Sequence, residues 1–591
     1  MPTTKTENTM KTVALDIEVY KDYFLVMLKD QQKTMYYEMY EGHDLNRDAL
    51  RSVLSKVCVV TFNGNGYDMP LLNAALEGAS CQELKDHSDN IIVHDTRPWE
   101  LDLRAPKGVN HIDLIEVAPG LTGLKNYAGR MGAPKMQDLP IEPSASITPT
   151  DRVALREYCE NDLNVTLMLY ERLQPQIALR EKLGDQYGQD LRSKSDAQIA
   201  EAVIKAEVHN VTGKPVGKPR VTIGKVFKYK APPFIQESEA LDFVRACDFV
   251  IADTGSPKCE ALDNYRAGNY RAGNYRMGIG GLHSTESAIT HIVAEDEFLI
   301  ERDVASYYPS IILQCGLYPE TMGEAFLDVY TTIYERRLAA KAAGDKVTSD
   351  TLKIALNGTF GKLGSRYSCL YSPGLLVQVT LTGQLALLDL IAMVEGAGAQ
   401  VVSANTDGIV IRGKKTRYVA VQEAVVKWEK CTGFVTEEAA YRALHSRDVN
   451  SYVAIKPDGR VKLKGAYAAT TLSKSPANEI CSIAAVKYLA EGTPIRQTIY
   501  GCEDITLFAT VRAVRTGAIY RGRYLGKVVR WYRATEGDFI RYKKNGNKVP
   551  KSDNAVPIME LPEVLPTDID YQWYMSEAIK ILIDVGLHKL Y

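Results

Sequence analysis

Several things are scarce in this 591-residue chain, and each scarcity excludes something. Its ten cysteines are scattered with no CxxC pair. A disulfide framework, a zinc ribbon and an iron–sulfur cluster are therefore disfavoured, and any metal is expected to sit on oxygen ligands. Net charge is only −2, so overall charge does not advertise a polyanion partner. The N-terminal stretch MPTTKTENTMKTVALDIE lacks the basic-then-apolar pattern of a signal peptide. No continuous apolar run reads as long enough to cross a bilayer, so an intracellular, cytoplasmic protein without a membrane partner is expected. What is present is ordinary for a globular chain: 45% hydrophobic and 24% charged residues. At this length one core is too few, and several domains are expected. Charge is uneven, because from Arg412 to Lys548 basic residues outnumber acidic ones by about two to one.

Carboxylates recur in a pattern. TVALDIE, 12–18, is an apolar strand on which alternation puts Asp16 and Glu18 on one face. Two like charges side by side are unfavourable unless a cation lies between them. VVTFNGNGYDMPLL, 59–72, reads as a buried strand, a Gly-rich turn and Asp68 entering an apolar helix. LREYCENDLNVTLMLYERL, 155–173, has helical periodicity, with Tyr158 and Asp162 four apart on one face. Singly, Asp68 could be a helix cap and Asp162 a solvated charge. In this order the three segments resemble the 3′–5′ exonuclease domain of proofreading polymerases, over roughly residues 12–175. The resemblance implies that Asp16, Glu18, Asp68 and Asp162 hold two metal ions and that Tyr158 orients the attacking water. It also implies that Phe62 and Asn63 contact a frayed DNA 3′ end.

A second set follows. ERDVASYYPSIILQCGLYP, 301–319, is a strand ending at Asp303, a turn and an apolar helix start. It resembles the DxxSLYPS motif of family B DNA polymerases, with Tyr307 in the place of Leu. LKIALNGTFG, 352–361, resembles the family's KxxxNSxYG motif, with Gly358 for Ser and Phe360 for Tyr. SANTDGIVI, 403–411, reads as a β-hairpin with Gly408 free to take positive φ. It resembles the family's YxDTDS hairpin, with Asn405 for the first Asp and Gly408 for Ser, while Asp407 keeps the principal position.

The resemblance implies roles. Asp303, Val304 and Asp407 would form the metal set, for two Mg²⁺ per active site with Mn²⁺ as an alternative. Backbone amides at Ser306 and Tyr307 would meet triphosphate oxygens, and Tyr308 would lie under the deoxyribose. Arg337, Lys341, Lys353 and Asn357 would bind the nucleotide from two antiparallel helices joined near Gly344–Asp345, the second capped by Ser349 or Asp350. Tyr452, Lys462 and Lys464 would contact primer–template DNA, and Gly280 and Gly281, in a YxGG-type loop, would admit the template backbone. IYRGRYLGKVVRWYR, 519–533, fits nucleic-acid contacts and a core-facing amphipathic element equally well. NYRAGNYRAGNYRMG, 264–278, is a five-residue repeat whose period fits neither helix nor strand.

The expected fold is a multidomain α+β chain: an RNase H-like 3′–5′ exonuclease domain, then a right-hand polymerase of palm, fingers and thumb. The boundaries are 1–175 exonuclease, 176–280 connector, 281–332 palm, 333–373 fingers, 374–465 palm, and 466–591 thumb and C-terminal region. Early onset of the exonuclease segment and short spans between the polymerase motifs suggest a compact, monomeric bacteriophage-type replicative enzyme working in a host cytoplasm. It would act on primer–template DNA and dNTPs, with a processivity factor, helicase or single-strand-binding protein as accessory partners. Two alternatives are a nuclease whose polymerase module only binds DNA, and a clamp-like DNA-binding factor.

Overall fold

The computed structural model describes residues 10–263, 265–270 and 273–587. The Tyr/Arg repeat at 264–278 thus falls partly outside the described residues. The chain divides into two compact units.

The first comprises residues 1–195, 470–480 and 501–574. Its five-stranded sheet has Lys11–Tyr20 at the centre, antiparallel to Tyr23–Lys29 and parallel to Val57–Thr61. Thr34–Tyr40 and Asn110–Asp113 form the edges. The central strand is buried on both faces, which is why it reads as an almost unbroken apolar run around its two acids. One face packs on the helices Asp68–Glu77 and Cys81–Ile92 through Leu15, Ile17, Leu72 and Leu84. The other packs on the 24-residue helix Pro149–Arg172, through Leu155, Cys159 and Leu163.

Residues 501–574 bring a second sheet to this unit, built on the paired strands Thr510–Tyr520 and Arg523–Asp538. Here the second half of 519–533 is core-facing: Trp531 and Tyr532 are buried, and fully buried Arg530 donates to the carbonyls of Ile558 and Ala133. Of the two readings of that segment, the core-facing one describes residues 525–532, while 521–524 are exposed. The span 466–591 expected as a thumb and C-terminal region is accordingly divided. Residues 470–480 and 501–574 belong to the first unit; 466–469, 481–500 and 575–591 belong to the other.

The second unit contains residues 196–469, 481–500 and 575–591. Its main sheet runs, in spatial order, Thr436–Ala440, Glu297–Val304, Gly408–Lys414, Gln400–Asn405, then three strands between 266 and 284. Beneath it lies the helix Pro373–Gly396. With mean hydropathy 1.7 over an 18-residue window, it is long and apolar enough to cross a membrane. This corrects the expectation that no run is. Its window is 78% buried, and Trp428 Nε1 donates to its Ala386 carbonyl at 2.8 Å, so its apolarity serves the core of this unit. The helices Ala325–Ala342 and Lys346–Lys362 are joined through Gly344, and the second is capped by Asp345, whose carboxylate accepts from Thr348 N at 3.0 Å. The cap is thus Asp345, not Ser349 or Asp350: the helix begins at Lys346, and both of those residues lie inside it.

Candidate active sites

In the first unit the three acidic segments converge. Asp16 and Glu18 project from the central strand, Asp68 opens its helix, and Asp162 comes from the long helix across the sheet. Ligand atoms of Asp16, Glu18 and Cys159 lie within 4.8 Å of one another. Asp68 and Asp162 are buried beside them. Asp68 is not a cap: Tyr67 holds that position with no side-chain cap bond, and Asp68 Oδ1 is buried without a hydrogen-bond partner among the described residues. Burial pushes the Asp16 carboxyl up to about 6. Burial and the Asp16 charge push Asp162 up to about 7, and Glu18 and Asp68 also rise well above the usual range. Burial and the Asp162 charge raise the Tyr158 phenol as well, so it stays a hydrogen-bond donor. Four converging hard oxygen donors, one of them without a hydrogen-bond donor, suit divalent cations and leave them electrostatically wanted.

Around this cluster are residues that the motifs did not supply. Asp113 accepts from the amides of Asn63 and Asn65 at 2.8 Å each, which fixes the turn with Asn63 at φ 69°. Phe62 is half-buried and packs edge-on against Tyr127, so its ring serves the core more than the surface. Lys125 Nζ lies 4.8 Å over the Tyr158 ring and pairs with Asp138 at 2.8 Å. The motif spacing carries no signal for Lys125; Cys159 was legible as the neighbour of Tyr158 on the same helix.

In the second unit, Asp303 ends its strand opposite Gly408, and Val304 N donates to the Asp407 carbonyl at 2.7 Å. The two acids are thereby locked to one register. They line a polar cavity of about 230 Å³ with Glu301, Ser403, Asn405, Tyr452, Lys462 and Lys464. Burial and the Asp407 charge push Asp303 up to about 6. Asp407 is also raised by burial, with the Lys464 ammonium opposing. Asp303 and Asp407 are again hard oxygen donors, and they fit divalent cations.

Gly408 is not in the left-handed region; Thr406 is, at φ 56°, as the first residue of a two-residue loop between Asn405 and Gly408. What position 408 lacks is room: a Cβ there would lie 2.9 Å from Asp303 Oδ1 and 3.0 Å from Arg302 O. Asn405 Nδ2 donates to Val449 O at 2.9 Å, with Asn450 Oδ1 at 3.3 Å, and its Oδ1 accepts from Thr406 Oγ1. Gly281 faces the same turn, where a Cβ would meet Thr406 Oγ1 at 2.2 Å. Its smallness therefore admits the Thr406 side chain rather than a template backbone, while Gly280 has open space around it.

Ser306 sits at φ 50° before the helix Tyr307–Gln314, a strained conformation for a non-glycine residue. The first-turn amides of that helix have no intrahelical acceptor. The Tyr307 side chain is buried and its hydroxyl donates to Gly383 O at 2.6 Å, so only its backbone can serve a nucleotide. Tyr308 stacks on Phe360, centroids 4.0 Å apart. Arg337 donates to Ser306 Oγ, which brings it to the turn after Asp303. Lys341 is instead paired with Glu437 at 2.8 Å. Lys353 and Asn357 share an exposed helix face. Gly358 points away from that face: a Cβ there would lie 2.7 Å from Ala200 Cβ and 3.0 Å from Asp196 O, so its smallness lets the helix Asp196–Thr212 approach. Lys462 is paired with Glu301 at 2.7 Å, and Lys464 lies 5.9 Å over the Tyr452 ring. These lysines border the carboxylate cavity, and Lys462 is not free to follow a phosphate backbone. Glu301 had a signal in the sequence, the same i, i+2 alternation with Asp303 that links Asp16 and Glu18.

No family model matches the chain. Sequence comparison finds DNA polymerase II of Escherichia coli (strain K12), 31% identical over 129 residues, which cover 18% of this chain and 16% of that protein. The resemblance to family B DNA polymerases holds. The chain thus aligns with about one sixth of that DNA polymerase's length. Among solved structures it is similar to the family B DNA polymerase from the hyperthermophilic archaeon Pyrobaculum calidifontis, with TM-score 0.42 and 15% identity, covering 98% of this chain and 78% of that one.

Proposed function

We propose that this chain is a DNA-directed DNA polymerase with a 3′–5′ proofreading exonuclease. The observation that carries the reading is the locked pair of Asp303 and Asp407 on adjacent strands, at the mouth of a polar cavity bordered by lysines. Asp303, Asp407 and the Val304 carbonyl would hold two Mg²⁺ ions, which when bound supply Lewis acidity to the primer hydroxyl and the triphosphate. The chain's own groups do the rest. First-turn amides and Arg337 at Ser306 receive phosphate oxygens, and exposed Lys353 and Asn357 extend that surface. The Tyr308–Phe360 stack would form a floor under a deoxyribose, where the ring leaves no room for a 2′-OH.

In the other unit, Asp16, Glu18, Asp68 and Asp162 would hold the metals of hydrolysis. The Tyr158 hydroxyl, protonated and bonded to Asp162, orients a water. Asn63, fixed by Asp113, would touch the frayed end. Primer–template DNA and dNTPs are the substrates on this reading, and a bacteriophage replicative role rests on the short spans between motifs.

The test is extension of a primed template with dNTPs and Mg²⁺, by the wild type and by Asp407→Asn. Extension by the wild type alone is expected. A wild type that degrades single strands but incorporates nothing would replace this reading with a nuclease whose polymerase module only binds DNA.

A further inference from the structure

The C-terminal sheet does something specific inside the exonuclease-like unit. Asp138 Oδ1 pairs with Lys125 at 2.8 Å, while its Oδ2 accepts from the Tyr524 hydroxyl at 2.8 Å and from Lys527 N at 3.2 Å. Tyr524 and Lys527 belong to the strand Arg523–Asp538. Between them, Gly526 has φ 112°, and a Cβ on it would lie 2.8 Å from Asp138 Cβ. The strand is thus shaped to receive this carboxylate. The loop carrying Asp138 is stitched to the same segment: Met136 N donates to Met559 O at 2.7 Å, Leu561 N to Pro134 O at 2.8 Å, and Arg530 to Ala133 O at 2.8 Å. On its far side Lys125 lies over the ring of Tyr158. A cavity of about 10 Å³, the size of one water, is bounded by Lys125, Gln137, Asp138, Asp162 and Val528. Gln137 Oε1 is buried without a hydrogen-bond partner. A polar, water-sized space with a free acceptor therefore links the C-terminal sheet to a carboxylate of the cluster.

We propose that Tyr524, Asp138 and Lys125 form a positioning relay by which the C-terminal sheet sets the Tyr158 ring in the exonuclease site. The sheet fixes Asp138, Asp138 fixes the ammonium of Lys125, and the ammonium holds the ring whose hydroxyl meets Asp162. Without the Asp138 anchor, Lys125 is free to swing to the carboxylates and Tyr158 loses the partner on its face. The inference rests on the exonuclease reading above and adds three residues to it, one of them 366 positions along the chain from Tyr158.

The test is a double-mutant cycle in the full chain, degrading 5′-labelled single-stranded DNA with Mg²⁺. Lys125→Met is expected to lower kcat about tenfold, the scale at which small misplacements act, with KM nearly unchanged. Tyr524→Phe should lower kcat about threefold, and the double variant should match Lys125→Met, because residues in one chain of contacts are not additive. Lys125→Arg, which keeps a cation over the ring, should recover part of the loss. Primer extension should not change in any variant. Losses that multiply in the double variant, an inert Tyr524→Phe, or extension falling in step with degradation would each overturn the relay. A wild type with no degradation at all would instead remove the exonuclease reading on which it stands.

Discussion

Replacing Asn405 by Asp restores the carboxylate of the family B hairpin, and the structure says what that does. The Asn405 amide donates to Val449 O at 2.9 Å and lies 3.3 Å from Asn450 Oδ1. Both are acceptors, so a carboxylate in the same place faces oxygen on both sides. The variant loses both hydrogen bonds and leaves acceptors opposed to a charge, a cost of about 1–3 kcal/mol. Asp303 and Asp407 keep their register, because the Val304–Asp407 bond and the Asp303–Gly408 pairing do not involve residue 405. Polymerisation should therefore stay within about tenfold of wild type, roughly 1.4 kcal/mol in barrier. Thermal unfolding of the full chain, followed beside primer extension at saturating dNTP, measures both. A variant as stable as the wild type and more than about tenfold faster would refute the reasoning, since position 405 would then be an empty place in the metal set.

Asp16→Ala with Glu18→Ala should abolish degradation of single strands and leave extension intact; equal loss of both would argue against two separate centres. Tyr308→Ala should admit ribonucleotides, and Phe360→Ala should do so more weakly by removing the ring that Tyr308 stacks on; incorporation of rNTPs against dNTPs reads both, and unchanged sugar discrimination would dismiss the floor. Gly358→Ser, the family residue, should destabilise by about 1–3 kcal/mol, because its Cβ has 2.7 Å to Ala200 and helix packing must shift; an unaltered melting temperature would contradict this. In chelator, the clustered carboxylates of the first unit should make stability fall with rising pH: their folded pKa values, about 6 for Asp16 and about 7 for Asp162, lie above the unfolded values near 4. The folded state then binds more protons than the unfolded state between about pH 4 and 7, and the stability this gives is gone above that window. Divalent cation should reverse the loss, and a melting temperature that rises over the same window would show the reverse sign.

Strongly patterned positions were legible in the sequence. Alternation placed Asp16 with Glu18, helical spacing placed Tyr158 with Asp162, and turn chemistry placed Asp407 at a hairpin tip, because each depends on neighbours along the chain. What failed to read were positions set by distant contacts. Gly408 looked like a turn glycine, but Asp303 leaves no room for a side chain there. Gly281 looked like a DNA contact, yet it makes space for Thr406. Lys462 looked free until a strand 161 residues away supplied Glu301. The C-terminal segment could not be assigned to either unit from its own residues, because an Arg–Tyr–Trp strand looks the same under nucleic acid and under a neighbouring sheet.

The two departures from the family pattern that most invite a reading of lost function, Gly358 and Gly408, share a physical cause. Each stands where a Cβ would come under 3 Å of another atom, one at a helix crossing and one at the strand pair that carries Asp303 and Asp407. In this chain both glycines are explained by close packing. The two carboxylate centres differ more deeply. In the cavity of the second unit, Lys462 and Lys464 already offset Glu301, Asp303 and Asp407; of the two paired acids Asp303 is half-buried and Asp407 exposed. In the other unit buried Glu18, Asp68 and Asp162 and half-buried Asp16 face the ammonium of Lys125, which is itself paired with Asp138. Cation binding there would relieve repulsion that the protein leaves uncompensated, whereas in the second unit it would complete a site already near balance. The exonuclease-like centre should therefore gain the more stability from metal, and lose the more when metal is withdrawn.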